Sequence, residues 1–301
     1  MLKIAYHPLY NHPLPEGHRF PMEKYDLLPE QLIYEGTCTS SHFFTPEYIQ
    51  NHNTILQVHD ANYFYDLLNL TLDQKTIRKI GFPLSRTLVK REIIIADGTI
   101  TACKHALKYG IAMNIAGGTH HAYTTHGEAF CLLNDQAIAA KFLLDTGKAS
   151  QILIIDLDVH QGNGTAEIFK NEPRVFTFSM HGKNNYPFKK EHSNLDIALE
   201  NNTNDTSYLS ILKNTLAQLI DQVQPDFIFY LSGVDVLATD KLGKLGLTLL
   251  GCKARDKMVL ETCKTNNIPV MCSMGGGYSP ELKTIIEAHA NTFRLAQELF
   301  F

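Results

Sequence analysis

The sequence predicts an α/β fold, a single three-layer α/β/α domain with a mainly parallel central sheet over residues 1–301. Three observations predict it. Short apolar runs such as Ile152–Ile155 have the length and composition of strands buried on both faces. Helix-length amphipathic segments separate these runs, which calls for parallel crossover units and not hairpins. Four of the runs end in polar or glycine-rich turns, at the sheet edge where open parallel sheets gather ligand groups.

Leu2–Tyr6 reads as the first strand. The Pro- and Gly-rich stretch from His12 through Glu16, His18, Arg19 and Phe20 to Pro21 cannot be regular structure. It reads either as a rigid pocket rim or as a solvated surface loop. Helical spacing follows in Tyr25–Glu35, in Pro46–His52 and in Asp60–Leu70, the last with Asp60 as its cap. Ser85–Leu107 is helical around Asp97-Gly98-Thr99, where the glycine predicts a break between two helices. Ile111–Ile115 is a strand that runs into Gly117-Gly118-Thr119-His120-His121. Taken alone, the two histidines read as residues of an exposed turn.

Ala137–Leu144 is helical and precedes the central strand at Ile152. That strand continues into Asp156, Asp158 and His160, which a strict two-residue period would align on one side of the chain. Gly162 and Gly164 break it, and Thr165 is placed to cap the next helix. The polar triplet reads either as a salt-linked strand end or as a divalent-metal site, the metal being the simplest partner for that much buried polarity. Val175–Met180 is a strand, and Lys183–Asp205 an irregular loop holding Tyr186. Tyr208–Val223 is a helix capped by Asn204 or Asp205, and Asp226–Leu231 a strand leading to Ser232-Gly233-Val234-Asp235. After the helix Lys253–Lys264, Ile268–Met274 forms a strand ending in Gly275-Gly276-Gly277-Tyr278, and Pro280 opens the last helix.

Hydrophobic residues at 44% and charged residues at 19% are those of a globular chain with a substantial core. The net charge of -4, with no Lys/Arg run longer than two residues, argues against nucleic-acid or anionic-membrane surfaces. Six cysteines without a CxxC pair, and no signal peptide, read as reduced thiols in the cytoplasm. No apolar segment approaches the ~20 residues that span a bilayer. A monomer or small homo-oligomer is expected. In a parallel sheet the C-terminal strand ends share one edge, so the turns Gly117–His121, Asp156–His160, Ser232–Asp235 and Gly275–Tyr278 can meet there.

These motifs, together with Phe130-Cys131 and Asp240-Lys241-Leu242-Gly243, resemble the histone deacetylase superfamily with its arginase-like fold. The wording is closest to the class IV branch and its bacterial relatives. The resemblance implies a zinc-dependent amidohydrolase that removes acetyl or longer acyl groups from lysine side chains. It assigns the metal to Asp158, His160 and Asp235, where the two carboxylates also leave Fe(II) chemically open. His121 is implied as general base and later acid, while His120, paired with Asp156, tunes the charge. Tyr278 is implied as the oxyanion donor.

A structural potassium ion is implied on Asp156, Asp158, His160, Ser179 and Met180. Phe130, Tyr186, Leu242 and Gly276 are implied along a narrow acyl-lysine tunnel. Asn163, the expected partner of His121, stands where some class I relatives have aspartate, which implies a less basic imidazole. Three rivals differ in chemistry or substrate: a deacetylase of small acetylated amines such as acetylpolyamines, a non-catalytic acyl-lysine reader, and a two-metal ureohydrolase. The intact base and Tyr278 count against the reader, and missing second-metal carboxylates against the ureohydrolase.

Overall fold

The computed structural model describes residues 1–301. Its eight strands are β1 (Lys3–Ala5), β2 (Phe43–Phe44), β3 (Ile111–Asn114), β4 (Ile152–Asp156), β5 (Val175–Gly182), β6 (Leu195–Leu199), β7 (Phe227–Leu231) and β8 (Val270–Ser273). They form one sheet in the order β2-β1-β3-β8-β7-β4-β5-β6. Every pairing is parallel. Each strand return therefore needs a crossover; helices supply all of them except β5 to β6, which is joined by the loop 183–194.

The helices are α1 (Lys24–Tyr34), α2 (Asn53–Leu56), α3 (Ala61–Asn69), α4 (Gln74–Ile80), α5 (Arg86–Tyr109), α6 (Asp135–Asp145), α7 (Asn163–Phe169), α8 (Asp205–Val223), α9 (Leu249–Thr265) and α10 (Leu282–Phe300). α5 packs with α6, whereas α1, α10, α9 and α8 pack in that succession. Between these layers β3, β4, β7 and β8 are buried at every residue. No helix is long and apolar enough to cross a membrane.

Several elements depart from the sequence reading, each for a local reason. Pro46–His52 is not helical. The Glu47 N–H donates to the Asp97 carboxylate at 2.8 Å instead of entering a helix, and helical structure starts only at Asn53. α5 runs unbroken through Gly98, because the glycine serves close packing and not a turn. A Cβ there would lie 2.5 Å from the Tyr10 hydroxyl and 3.2 Å from the Ala5 Cβ. Gly98→Ala should therefore destabilise by about 1–3 kcal/mol through overpacking, lowering the denaturant midpoint at unchanged slope. An unchanged midpoint would mean that α5 does not lie this close to β1.

α7 starts at Asn163 after an N-cap at Gly162, so Thr165 is inside the helix and its hydroxyl accepts from the Asn134 amide at 3.0 Å. The stretch 183–205 is not wholly irregular, since β6 pairs with β5 along the sheet edge. The alternation of Leu195, Ile197 and Leu199 carried that signal. α4 and the two-residue β2 were not read from the sequence at all. α8 takes Asn204 as its cap, the side chain accepting from the Ser207 N–H at 3.1 Å.

Candidate active site

β3, β8, β7 and β4 are consecutive in the sheet, so their C-terminal turns are neighbours. The four turns singled out in the sequence are these four. β4 ends at Asp156. Asp158 and His160 lie on bends beyond it, and strand alternation does not align them. Short hydrogen bonds do: the Asp158 N–H donates to Asp156 at 3.1 Å and the His160 N–H to Asp158 Oδ1 at 3.0 Å.

Asp158, His160 and Asp235 each present a ligand atom, all within 4.8 Å of one another and all buried. Backbone donors fix the carboxylates. The Gly276 N–H donates to Asp158 Oδ2 at 2.9 Å, and the Val159 N–H to Asp235 Oδ1 at 2.9 Å. Gly276 must be glycine, because a Cβ would collide with both carboxylates. His160 Nδ1 sits 3.1 Å from Asp158 Oδ1 and 3.2 Å from Asp235 Oδ2. Asp235 is 0% exposed, yet its Oδ2 makes no well-directed hydrogen bond.

The electrostatics ask for a cation. Burial and the neighbouring Asp158 push Asp235 up to about 7. Burial also raises Asp158, but His120 and His160 outweigh it and hold it well below the carboxylate range. Burial lowers His160, but the Asp158 and Asp235 carboxylates against its Nδ1 win and lift it to about 10. Two buried carboxylates, one with an orphaned oxygen, aimed at one imidazole nitrogen fit a divalent ion.

The two histidines of the β3 turn lie with ring centroids 4.1 Å apart but in opposite environments. His120 Nδ1 is 2.7 Å from Asp156 Oδ2; burial opposes its charge, but Asp156 and Asp158 prevail and raise its pKa. Burial, then His120 and His160, hold His121 well below its ordinary value, so this imidazole is neutral. His121 Nδ1 is 2.6 Å from Asn163 Oδ1, and Asn163 Nδ2 donates to Glu128 at 2.6 Å. Glu128 can only accept, so the amide oxygen faces His121 and the imidazole proton sits on Nδ1. The free lone pair is therefore on Nε2.

A cavity of about 500 Å³ opens onto this cluster, lined among others by Phe130, Tyr186, Leu242, Gly276 and Tyr278. Phe130 and Phe20 stand edge-on at 5.2 Å, and the Tyr186 ring is perpendicular to His121 at 5.1 Å. Burial, with Asp235 and Asp158 nearby, pushes the Tyr278 phenol well above its ordinary value and keeps its proton on. Asp156 and Asn163 stand behind the histidines and do not line the cavity. Ser179 is the register partner of Asp156, and Met180 follows it on buried β5.

The histone deacetylase domain profile matches residues 18–293. The chain belongs to the histone deacetylase family. An uncharacterised protein of Picosynechococcus sp. is 42% identical over 297 residues, covering 99% of each chain. Histone deacetylase 2 of Arabidopsis thaliana is 28% identical over 284 residues, 89% of this chain and 72% of that one. The crystal structure of an HDAC homolog from Aquifex aeolicus has a TM-score of 0.83 at 22% identity, over 97% of this chain and 82% of that chain. An HDAC homolog complexed with SAHA scores 0.82 at 22% identity, over 99% and 83%.

Three features of this deacetylase-family site went unread in the sequence. Glu128, buried and paired with Lys79, anchors Asn163. Lys24 is buried at the start of α1 and donates to the Gly275 carbonyl at 3.1 Å. Burial outweighs Asp235 and Asp158 and brings it down to about 8. Arg91 reaches the cavity from α5, bonded to Glu92 and to the Tyr10 carbonyl. The loop at Arg19–Phe20 does line the cavity, which decides for a pocket rim over a plain surface loop.

Proposed function

We propose that this chain is a metal-dependent amidohydrolase that removes acetyl or other acyl groups from lysine side chains. One observation carries the reading. Asp158 and His160 of the buried Asp–His–Asp cluster, His121 held neutral with its lone pair on Nε2, and the protonated Tyr278 phenol all line one cavity. The tyrosine and the base support hydrolysis over mere acyl-lysine reading. That an HDAC homolog of the same fold is solved complexed with SAHA is in keeping with a fold that takes small ligands.

Asp158, His160 and Asp235 would hold the ion, zinc on the family pattern with Fe(II) as the harder alternative. When bound, it supplies a Lewis acid for the scissile carbonyl and lowers the pKa of water. Phe130 and Tyr186 hold the aliphatic stem of the substrate between apolar walls. His121 Nε2 accepts the proton of the attacking water and later returns it to the leaving amine. Tyr278 donates its O–H to the carbonyl oxygen as negative charge builds there. His120, held by Asp156, contributes positive charge beside that oxygen. Potassium on Asp156, Asp158, His160, Ser179 and Met180 would stiffen the turn that carries the ligands. The six unpaired, buried cysteines suit a reducing cytoplasm.

A panel of acylated peptides and small amines, assayed with zinc- or iron-loaded protein, tests the reading. Acetyl-lysine peptides should be hydrolysed, with acetate and the peptide bearing an unmodified lysine ε-amine formed in equal amounts. Turnover of acetylpolyamines alone would transfer the assignment to small amines.

The base has its own test. A carboxylate at position 163 would stabilise the His121 imidazolium and raise its pKa. Asn163→Asp should therefore move the acidic limb of the kcat/KM profile to higher pH, because the base stays protonated further up the scale. A limb that stays put in folded, metal-loaded variant would assign the proton to another group.

A further inference from the structure

The mouth of the cavity carries an unused signal. Of the residues lining it, five are exposed to solvent: Arg19, Lys79, Asn184, Phe188 and Lys244. Three are cations and none is an acid. The single carboxylate in the whole lining, Asp158, is buried among the candidate metal ligands. This contrasts with a chain whose net charge is -4.

The cations are unequal. Lys79 is neutralised by buried Glu128. Arg19 spreads its guanidinium over the Phe130 ring, 4.9 Å from the centroid, and Lys244 donates to the Asn184 carbonyl at 3.0 Å. Neither has a carboxylate partner, so each keeps an unmatched positive charge facing the entrance. Phe188, 92% exposed, adds an apolar face without charge. Such a rim attracts a substrate with negative charge near its acylated nitrogen and repels a cationic one.

We infer that Arg19 and Lys244 select acylated amines that carry a carboxylate next to the acyl-lysine stem. The inference rests on the amidohydrolase reading and narrows its substrate class. The carboxylate has two sources: an Asp or Glu side chain flanking the lysine in a polypeptide, or the α-carboxylate of a free acyl-lysine. Acetylpolyamines and lysine-rich segments, both cationic, are disfavoured.

The test uses the full-length, metal-loaded protein and capped peptides in which one Nε-acetyl-lysine is flanked by Asp, Asn or Lys. Free Nε-acetyl-lysine and its capped amide form a second arm. The Asp-flanked peptide should exceed the Lys-flanked one in kcat/KM by about three- to tenfold, as two exposed ion pairs allow. The difference should lie in KM, since rim contacts bind ground state and transition state alike. It should shrink as salt is raised. Preference for free acetyl-lysine over its amide would assign the carboxylate to a small molecule, and preference confined to the peptides to a polypeptide.

Arg19→Glu with Lys244→Glu should reverse the order, and Arg19→Gln with Lys244→Gln should flatten it. Turnover of the Asn-flanked peptide reports that each variant is folded and loaded. Equal rates in both arms for wild-type protein, with the Asn-flanked peptide hydrolysed, would overturn the inference and leave the amidohydrolase reading standing. A loaded protein that hydrolyses no acylated amine would overturn both.

Discussion

Tyr278→Phe lowers kcat by roughly a hundred- to a thousandfold while KM changes little. The side chain lines the cavity, and its phenol is kept protonated by burial and by Asp235 and Asp158. Removing one such preorganised donor typically costs about 2.7–4 kcal/mol of transition-state stabilisation. Phenylalanine keeps the ring that packs edge-on to Phe20 at 5.9 Å, so the pocket wall survives. Steady-state kinetics on an acetyl-lysine peptide decides the matter. A variant with normal kcat and raised KM would make Tyr278 a wall and leave the oxyanion without its donor.

Asp235→Asn has the larger expected effect, because on the proposed assignment it would remove the metal and not one contact to the substrate. The asparagine oxygen can still accept the Val159 N–H, so the turn after β4 keeps its geometry. The site loses one of its two carboxylates. A bound divalent ion is worth several kcal/mol of charge stabilisation, so turnover should fall about a thousandfold or more. The unmetallated variant should be at least as stable as unmetallated wild type, because one buried carboxylate whose pKa is pushed up to about 7 is gone. Metal analysis and thermal unfolding on the same sample read both effects. Stoichiometric metal with normal turnover would exclude Asp235 as a ligand.

The convergence of the candidate site residues was more legible than the helices. Asp158, His160 and Asp235 stood out because buried strands ended in residues that a hydrophobic core does not accommodate without a partner. The parallel sheet then made their meeting a matter of topology, and β3, β8, β7 and β4 are indeed neighbours. The Gly98 reading failed because helix propensity cannot tell a glycine that ends a helix from one that lets α5 lie on Ala5 and Tyr10. Pro46–His52 failed because a side chain 50 residues away, Asp97, takes the Glu47 N–H. Glu128 and Lys24 were illegible for the same reason. Their partners, Asn163 and the Gly275 carbonyl, are distant in sequence, and neither residue sits in a periodic pattern.

The most direct measurement is a metal titration of chelator-stripped protein, following acetate released from an acetyl-lysine peptide. Stripping should abolish turnover, and zinc or Fe(II) should restore it linearly, reaching a plateau at one equivalent of active-site metal per chain. A stripped protein that hydrolyses the peptide at the original rate would contradict a metal-dependent site on Asp158, His160 and Asp235.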